Sequence, residues 1–421
     1  MSNCFFGSKD MQNWEKLMLI VMLFAACKKP YNPTVVAANS NYLVVEGVID
    51  AGSDSTIIKL SRTVNISNKI TANPELNAVV AVEGDQNITF PLTGKGNGYY
   101  ATAGLNLNNA HKYRLRIKTA GGEYVSDFVP VQNAPAIDTV SHIFKNDGVG
   151  IYVSTHDPNN NTHYYRWDYQ ETWVIHSTYY SFYKSNGDTV IERNFINDEV
   201  YQCWRSDASS TINVGSSAHL ASDVISNSPV TFISSTSEKI SSKYSIIVDQ
   251  NAPTNSAYSI LVRQYALTGD AYAFWSNLEK DTQQLGSIFD AQPSELHGNI
   301  HSVTNPAEPV IGYISAGTVA SKRVFISNQE IAAAWNSRPP YNDCLLDTLY
   351  LSYTAPGATV AVNQEDEYFN YNKHVLYQNR LIPIAAIFDE KLGTIIGHTG
   401  AAPECVDCTL RGTNKQPLFW K

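Results

Sequence analysis

The stretch YYRWDYQETWVI, from Tyr164 to Ile175, decides the fold class of this protein. Aromatic and aliphatic side chains alternate with polar ones along it, and these residue types favour strands over helices. Because successive side chains of a strand point to opposite faces, Trp167 shares one face with the aromatic residues two positions away. The pattern predicts a half-buried strand in which Trp167 anchors the core and rings on the other face are open to solvent.

Segments with the same two-residue alternation flank this strand, separated by turn residues. Short antiparallel strands joined by tight turns produce this signature. The predicted strands are 42–49, 56–63, 78–85, 87–92, 112–119, 123–129, 140–144, 149–155, 229–234, 244–250, 257–267 and parts of 312–327. We therefore predict a mainly β protein of tandem antiparallel β-sandwich domains, similar to immunoglobulin or fibronectin type III domains.

One segment has helical rather than two-residue periodicity. Apolar residues recur at helical spacing after Thr268, which is a suitable cap, and Gly286 is a suitable stop. This predicts a short helical insertion over 269–286, with a second short helix over 330–335. The rest of the C-terminal part is predicted to be rich in loops.

A chain of 421 residues is longer than one ordinary hydrophobic core, so more than one domain is expected. A proline-containing stretch at 130–135 follows the first group of strands. We predict an N-terminal sandwich over 41–135 and a second sandwich over 136–421. The second domain contains an insertion after Ile175, the helix and a tail tied by disulfides.

The N-terminal segment has the pattern of an export signal. The run LMLIVMLFAA, from Leu17 to Ala26, is apolar and ends in two small residues before Cys27. A membrane-spanning helix needs about 20 apolar residues, so this run fits the core of a signal peptide instead. The pattern predicts removal of residues 1–26 and acylation of the Cys27 thiol.

The predicted mature chain continues from the acylated cysteine as a polar tether over 27–40, in which two prolines exclude a helix. Two or more acyl chains, palmitate among them, hold a protein stably at a membrane. We therefore expect the membrane to be a partner through the lipid anchor. Met1 and Met11 are both candidate start residues.

Four further cysteines follow the lipidation site: Cys203, Cys344, Cys405 and Cys408. An even number in an exported protein predicts disulfides, and four cysteines allow three pairings. We favour a bridge from Cys344 to one of the C-terminal pair, which would tie the tail to the body. A redox or zinc role for the Cys405-x-x-Cys408 motif is the alternative.

The composition disfavours one class of partner and offers no enzyme motif. The formal net charge is −9 and no basic stripe is present to neutralise phosphates, so we expect no nucleic-acid partner. Nucleophile-elbow, phosphate-loop and dinucleotide motifs are absent from the sequence. We predict a protein without enzyme activity, cofactor or metal, and a hydrolase site assembled from distant residues is an alternative.

Two clusters imitate metal sites but have simpler interpretations. Asp157 with Asn159 and Asn161 has the spacing of a calcium loop without its glycine, and these residues also favour turns. His297 and His301 stand four apart, as in a helical zinc site, but glycine and proline nearby argue against a helix. A turn and loop histidines are the interpretations we favour.

Aromatic residues in the insertion are the candidates for a binding surface. They are Tyr179, Tyr180, Phe182 and Tyr183. Exposed rings of this kind stack on sugars or grip a protein partner. Ordinary packing of aromatic residues in strands is the alternative explanation.

Several segments together resemble an uncharacterised lipoprotein family of Bacteroidota, domain of unknown function 4249. The resemblance rests on YLVVEGVI at 42–49, DPNNNTHYYRWDYQETW at 157–173, CW at 203–204, the long block at 258–300 and ECVDCTLRGTNKQPLFW at 404–420. The central block and the tail are the most specific of these. The resemblance covers nearly the whole predicted mature chain.

The resemblance implies an exported lipoprotein, commonly found beside TonB-dependent outer-membrane transporters, with no catalytic residues to carry over. We therefore expect a protein anchored in the outer membrane, at the cell surface or on the periplasmic face. Its expected role is that of a non-enzymatic accessory or binding partner of a TonB-dependent transporter. Direct capture of a glycan or peptide nutrient is the alternative.

Overall fold

The computed structural model describes residues 41–64, 73–240, 256–283, 298–334, 344–373 and 380–420. Strands dominate these residues, which confirms the prediction of a mainly β protein. The predicted signal peptide, Cys27 and the whole of the predicted tether lie outside the described residues, as does the predicted strand 244–250. Within the described ranges, no helix has both the length and the apolar character needed to cross a membrane.

The strands follow the chain order in which they are numbered here. They are β1 (Leu43–Asp50), β2 (Thr56–Arg62), β3 (Val79–Gly84), β4 (Thr89–Gly96), β5 (Tyr99–Thr102), β6 (Lys112–Thr119), β7 (Gly122–Ser126), β8 (Val129–Gln132), β9 (Ile137–Lys145), β10 (Gly148–His156), β11 (Tyr164–His176), β12 (Tyr183–Ser185), β13 (Val190–Glu192), β14 (Gln202–Ala208), β15 (Asn213–Ser216), β16 (Val224–Ser234), β17 (Ser256–Ala266), β18 (Ile300–Ser302), β19 (Ala316–Gly317), β20 (Val319–Ser327), β21 (Asp347–Tyr350), β22 (Ile382–Phe388) and β23 (Ile395–Ala401). The helices are α1 (Gly269–Gln283), α2 (Asn328–Ala334), α3 (Gln364–Tyr368) and α4 (Pro403–Val406), with single 3₁₀ turns at Glu238–Ile240 and Cys408–Leu410.

The first sheet has ten strands in the order β18-β7-β6-β3-β4-β5-β2-β1-β19-β8. Strand β8 pairs with β6 as well as with β19, so eight of the strands close on themselves. This differs from the two facing open sheets predicted for the N-terminal domain. Closure pairs the backbone N–H and C=O groups that the edge strands of an open sheet would leave unpaired.

Segments from far downstream complete this first sheet. Strand β19 lies parallel to both β1 and β8, and Ala316 is the register partner of Ile49 and Val131. The backbones of β19 and β8 lie close together, since a Cβ on Gly317 would lie 2.4 Å from the carbonyl oxygen of Gln132. The first core therefore combines residues of the predicted N-terminal domain with residues from 300 to 316. The boundary near residue 135 stays a prediction.

Two sheets share the second core. One has the order β16-β10-β9, and the other has the order β14-β11-β17-β20 with β15 also paired to β11. Trp167 is 1% exposed and its indole N–H donates to the Gln264 side-chain oxygen at 2.8 Å, so this residue is a core anchor as predicted. Four rings of β11 are buried: Tyr165, Trp167, Tyr169 and Trp173. The Tyr164 ring on the opposite face lies 4.9 Å from the Tyr272 ring of α1, so this face is largely covered.

Helix α1 begins where the sequence predicts. The Thr268 hydroxyl accepts a hydrogen bond from the backbone N–H of Ala271 at 3.2 Å, which satisfies one of the free donors of the first turn. The helix is described to Gln283, and residues 284–286 of the prediction lie outside the described residues. The helix buries Ala271 and Phe274.

The C-terminal part is more regular than the loop-rich region that the sequence analysis predicts. Strands β21, β23 and β22 form a three-stranded antiparallel sheet around a third core. Its strands are short, β22 contains Pro383, and β23 contains Gly397 and Gly400. Proline and glycine weaken a strand pattern, so this sheet has little two-residue alternation to reveal it.

Candidate functional site

The insertion between β11 and β14, residues 177–201, is held against the C-terminal part by backbone hydrogen bonds. The N–H of Tyr179 donates to the carbonyl of Cys405 at 3.0 Å, and that of Phe182 donates to the carbonyl of Ile384 at 2.8 Å. The N–H of Cys408 donates back to the carbonyl of Val200 at 2.8 Å. The insertion is therefore a braced segment.

Two disulfides reinforce the same region. Cys344 is bonded to Cys405, which is the type of link that the sequence analysis favours, and Cys203 is bonded to Cys408. The two cysteines of the Cys405-x-x-Cys408 motif thus have different partners. A dithiol redox centre requires these two sulfurs to bond to each other, so the structure assigns the motif a structural role.

A partly buried guanidinium organises the interior of the insertion. The Nε of Arg193 donates to the Ser181 hydroxyl and to the carbonyl of Tyr183, both at 2.9 Å. Burial lowers the pKa of Arg193, although the charges of acidic residues nearby act in the opposite direction. Beside it, Lys184 and Asp198 form an ion pair of 2.6 Å that helps to close the turn.

The outer surface of the insertion carries an apolar cluster, here called the aromatic patch, formed by Tyr180, Phe182, Phe195 and Ile196. The ring centroid of Tyr180 lies 5.0 Å from that of Phe182 and 5.6 Å from that of Phe195. Phe182 is 50% exposed, Phe195 44% and Ile196 91%. Contiguous exposed apolar residues of this kind mark sites of interaction with partners.

The sequence-predicted binding residues divide between this patch and the interior. Tyr180 and Phe182 belong to the aromatic patch. The Tyr179 hydroxyl instead donates to the carbonyl of Cys344 at 2.8 Å, and the Tyr183 ring lies 4.5 Å from the His398 ring. Tyr179 packs against the third core and Tyr183 contacts His398, so both side chains make internal contacts, and a binding role for them stays a prediction.

Sequence reasoning missed Phe195 and Ile196. They stand between Asn194 and Asn197 in the turn NFIN, and the N–H of Ile196 donates to the Asn194 side chain at 3.0 Å. Asparagine favours turns, and a turn places its central side chains in solvent. Two adjacent apolar residues inside a polar turn therefore predict exposed apolar side chains, and this pattern could have identified Phe195 and Ile196.

Comparison with protein families gives one match. A family described as Domain of unknown function (DUF4249) matches residues 28–323, which is more than half of the chain. The chain belongs to this family. No curated protein is similar enough to be counted as a relative of this DUF4249 protein. The matched region includes the whole insertion and ends within β20, before the third sheet.

The DUF4249 protein also contains a buried carboxylate–imidazole pair in its C-terminal part. Glu365 Oε1 lies 2.6 Å from Nδ1 of His398, and both side chains are at least nine-tenths buried. Nε2 of His398 has no hydrogen-bond partner within the described ranges. A nucleophilic serine or cysteine would have to hydrogen-bond to this nitrogen, and none of the described residues does so.

The two clusters that imitate metal sites have other contacts. The Asp157 carboxylate accepts hydrogen bonds from the backbone N–H groups of Asn159, Asn161 and Thr162, as in a turn. His301 lies 3.1 Å from the Asp127 carboxylate, and His297 is outside the described residues. No group of three metal-binding side chains occurs among the residues that the structure describes.

Proposed function

We propose that this DUF4249 protein is a lipid-anchored accessory protein of the outer membrane that docks on a TonB-dependent transporter through the aromatic patch. The role is non-enzymatic. The observation that carries the proposal is the exposure of Phe182, Phe195 and Ile196 side by side on a braced insertion. Aromatic side chains are the residue class that contributes most binding free energy at protein interfaces.

The bracing of the insertion supports docking because a rigid surface loses little conformational entropy on binding. Both disulfides, the Arg193 hydrogen bonds and the Lys184–Asp198 pair fix the segment before a partner arrives. The patch is therefore already organised in the free protein.

The proposed anchor is the acylated Cys27, followed by the tether of residues 27–40. A chain of this length extends at most about 50 Å, which keeps the folded part close to the membrane and to proteins embedded in it. Confinement to a membrane raises the effective concentration of an embedded partner, so a patch of modest area is sufficient.

For the fold, we propose that the two sheets around the second core form a sandwich of the immunoglobulin or fibronectin type III kind. The support is that β10 and β11 both place alternating side chains in one core. An experimental structure tests this through its strand order, and a connectivity other than a Greek key would contradict it.

Co-purification in mild detergent tests the docking proposal. The wild-type protein should bring down a TonB-dependent transporter in stoichiometric amount, identified by mass spectrometry, and the Phe195→Ala/Ile196→Ser variant should lose it. A matched control is Leu392→Ser, since Leu392 is 76% exposed outside the patch. Retention of the transporter by the patch variant would overturn the proposal. Absence of a transporter from the wild-type sample would also overturn it and would favour direct nutrient capture.

A further inference from the structure

A second aromatic surface lies on the outer face of the sheet β16-β10-β9. Val149, Ile151 and Val153 of β10 are fully buried in the second core. Because side chains alternate along a strand, Gly148, Gly150 and Tyr152 lie on the opposite face. The residue facing Gly150 across the ladder is Phe232 of β16, which is 49% exposed.

The two glycines allow the rings to lie flat on the sheet. A Cβ on Gly150 would come within 2.7 Å of the Tyr152 hydroxyl and 2.8 Å of its ring carbon Cε2. A Cβ on Gly148 would come within 2.5 Å of the Phe232 ring carbon Cζ. Each ring therefore covers a glycine with one face and presents the other face outward, an arrangement known to compensate for glycine in strands.

These rings form one wall of a cleft of about 400 Å³. Strand β15 and helix α1 complete it, and its polar lining residues include Lys145, Asn213 and Glu279. The Lys145 ammonium lies 5.8 Å from the centroid of the Tyr152 ring and 5.9 Å from that of Phe232. The hydrogen bond with Tyr152 raises the pKa of Lys145, and burial raises the pKa of the Glu279 carboxyl.

We infer that this cleft binds a neutral glycan, with two adjacent sugar rings stacked on Tyr152 and Phe232. The C–H face of a pyranose carries partial positive charge and is complementary to the negative face of an aromatic ring. Sugar hydroxyls both donate and accept hydrogen bonds, which matches the ammonium of Lys145, the amide of Asn213 and the carboxylate of Glu279 in the same cleft. The cleft volume is within the range of small-ligand sites.

The lining of the cleft favours this ligand over the other classes. Among the described residues, Lys145 is the one cationic side chain that lines it, which does not suit a polyanion such as a nucleic acid or an acidic glycan. A peptide would require separate pockets for its alternating side chains, whereas the flattened rings offer an even surface. The site shares no residue with the aromatic patch, so it does not depend on transporter docking.

Isothermal titration with a panel of neutral oligosaccharides, containing gluco-, manno- and xylo-configured hexamers, tests the inference on the folded protein. At least one member should bind, and Tyr152→Ala and Phe232→Ala should each weaken it about tenfold or more, through loss of a stacking surface. Gly150→Ala should also weaken it, because the new Cβ displaces the Tyr152 ring without removing it. Ile143→Ala is the matched control, since Ile143 is 48% exposed on the same sheet face outside the cleft and should leave affinity unchanged.

Circular dichroism melts would establish that each variant is folded. The inference is overturned if no neutral oligosaccharide binds the wild-type protein, or if the two ring variants bind as well as the control. Binding of unstructured peptides that is lost in Phe232→Ala, without any glycan binding, would overturn the glycan assignment in favour of a peptide site.

Discussion

Cys203 and Cys408 are 205 positions apart in sequence, and a disulfide holds their Cα atoms 5.7 Å apart. The first cysteine belongs to β14 beside the insertion, and the second follows α4 in the C-terminal part. Both sulfurs are buried in the second core. The tail is thus covalently part of the surface that presents the aromatic patch.

Removing this bridge with Cys203→Ala/Cys408→Ala should lower the free energy of unfolding by about 2–5 kcal/mol. The Cys344→Ala/Cys405→Ala variant opens a shorter loop, of 61 positions. Because the entropy of loop closure rises with loop length, its free energy of unfolding should fall by about 1 kcal/mol less than that of the first variant. Denaturant unfolding of the two variants measures the difference. Peptide mapping without reduction must show both native pairs, and a Cys405–Cys408 bridge would contradict the assignment.

Gln264 should be essential to the second core. Its side-chain oxygen accepts from Trp167, and its amide donates to the carbonyl of Pro135 at 2.8 Å and to the Thr155 hydroxyl at 2.9 Å. Gln264→Leu leaves these buried groups unsatisfied, so we expect a loss of about 2–4 kcal/mol in the free energy of unfolding. Gln283→Leu, on the exposed end of α1, is the control and should change stability little. Equal stability of the two variants would refute the role of this network.

Stability should fall as the medium becomes acidic because His176 is buried. The pKa of this imidazole is lowered from an ordinary value of 6.5 to about 4, chiefly by burial; a hydrogen bond with Gln202 acts in the opposite direction, and the Arg411 charge contributes to the lowering. Because the pKa of His176 is lower in the folded than in the unfolded state, its contribution to the free energy of unfolding is fully present above pH 6.5. This contribution is lost as the pH falls toward 4. The free energy of unfolding should fall by about 3 kcal/mol over this range.

Chemical denaturation at several pH values between 7 and 4 measures this dependence on His176. The His176→Gln variant retains a polar side chain of similar reach without a titrating group, so its stability should vary less over the same range. His301→Gln, at an exposed position, is the control. A wild-type pH profile unchanged by His176→Gln would show that another group is responsible.

The proposed lipid anchor depends on one sulfur atom, because only a thiol at Cys27 can form the diacylglyceryl thioether. Cys27→Ser should therefore abolish incorporation of labelled palmitate and release the protein from the membrane fraction. Cys203→Ser is a control that should keep the label. Labelling of the Cys27→Ser protein to the wild-type level would refute the lipoprotein proposal.

The sequence was informative where one local rule governs the structure. Strand β11 follows two-residue alternation except at Thr172, which is also buried, and its other buried positions agree with the predicted core face. Helix α1 has its cap at Thr268, as local spacing predicts. In the helix, the contact that fixes its start joins residues only a few positions apart. In the strand, the residues that form the core lie on one face.

Prediction failed where distant segments decide the outcome. Strand β19 has two residues, too few for any period to show, yet it joins β1 to β8. The third sheet was missed because Pro383 and the β23 glycines remove the alternation. The internal contacts of Tyr179 and Tyr183 could not be predicted either, because the sequence does not show that Cys344 and His398 lie beside them.

The position of β19 between β1 and β8 has a consequence for the order of folding. Ile49 meets Ala316 only after the intervening chain has been synthesised, so the first sheet is completed late. Contacts of such long range slow folding, and until they form β1 has an unpaired edge that can recruit another chain. A fragment that ends near residue 135 would keep that edge permanently, and we expect it to aggregate although its own sequence resembles a domain.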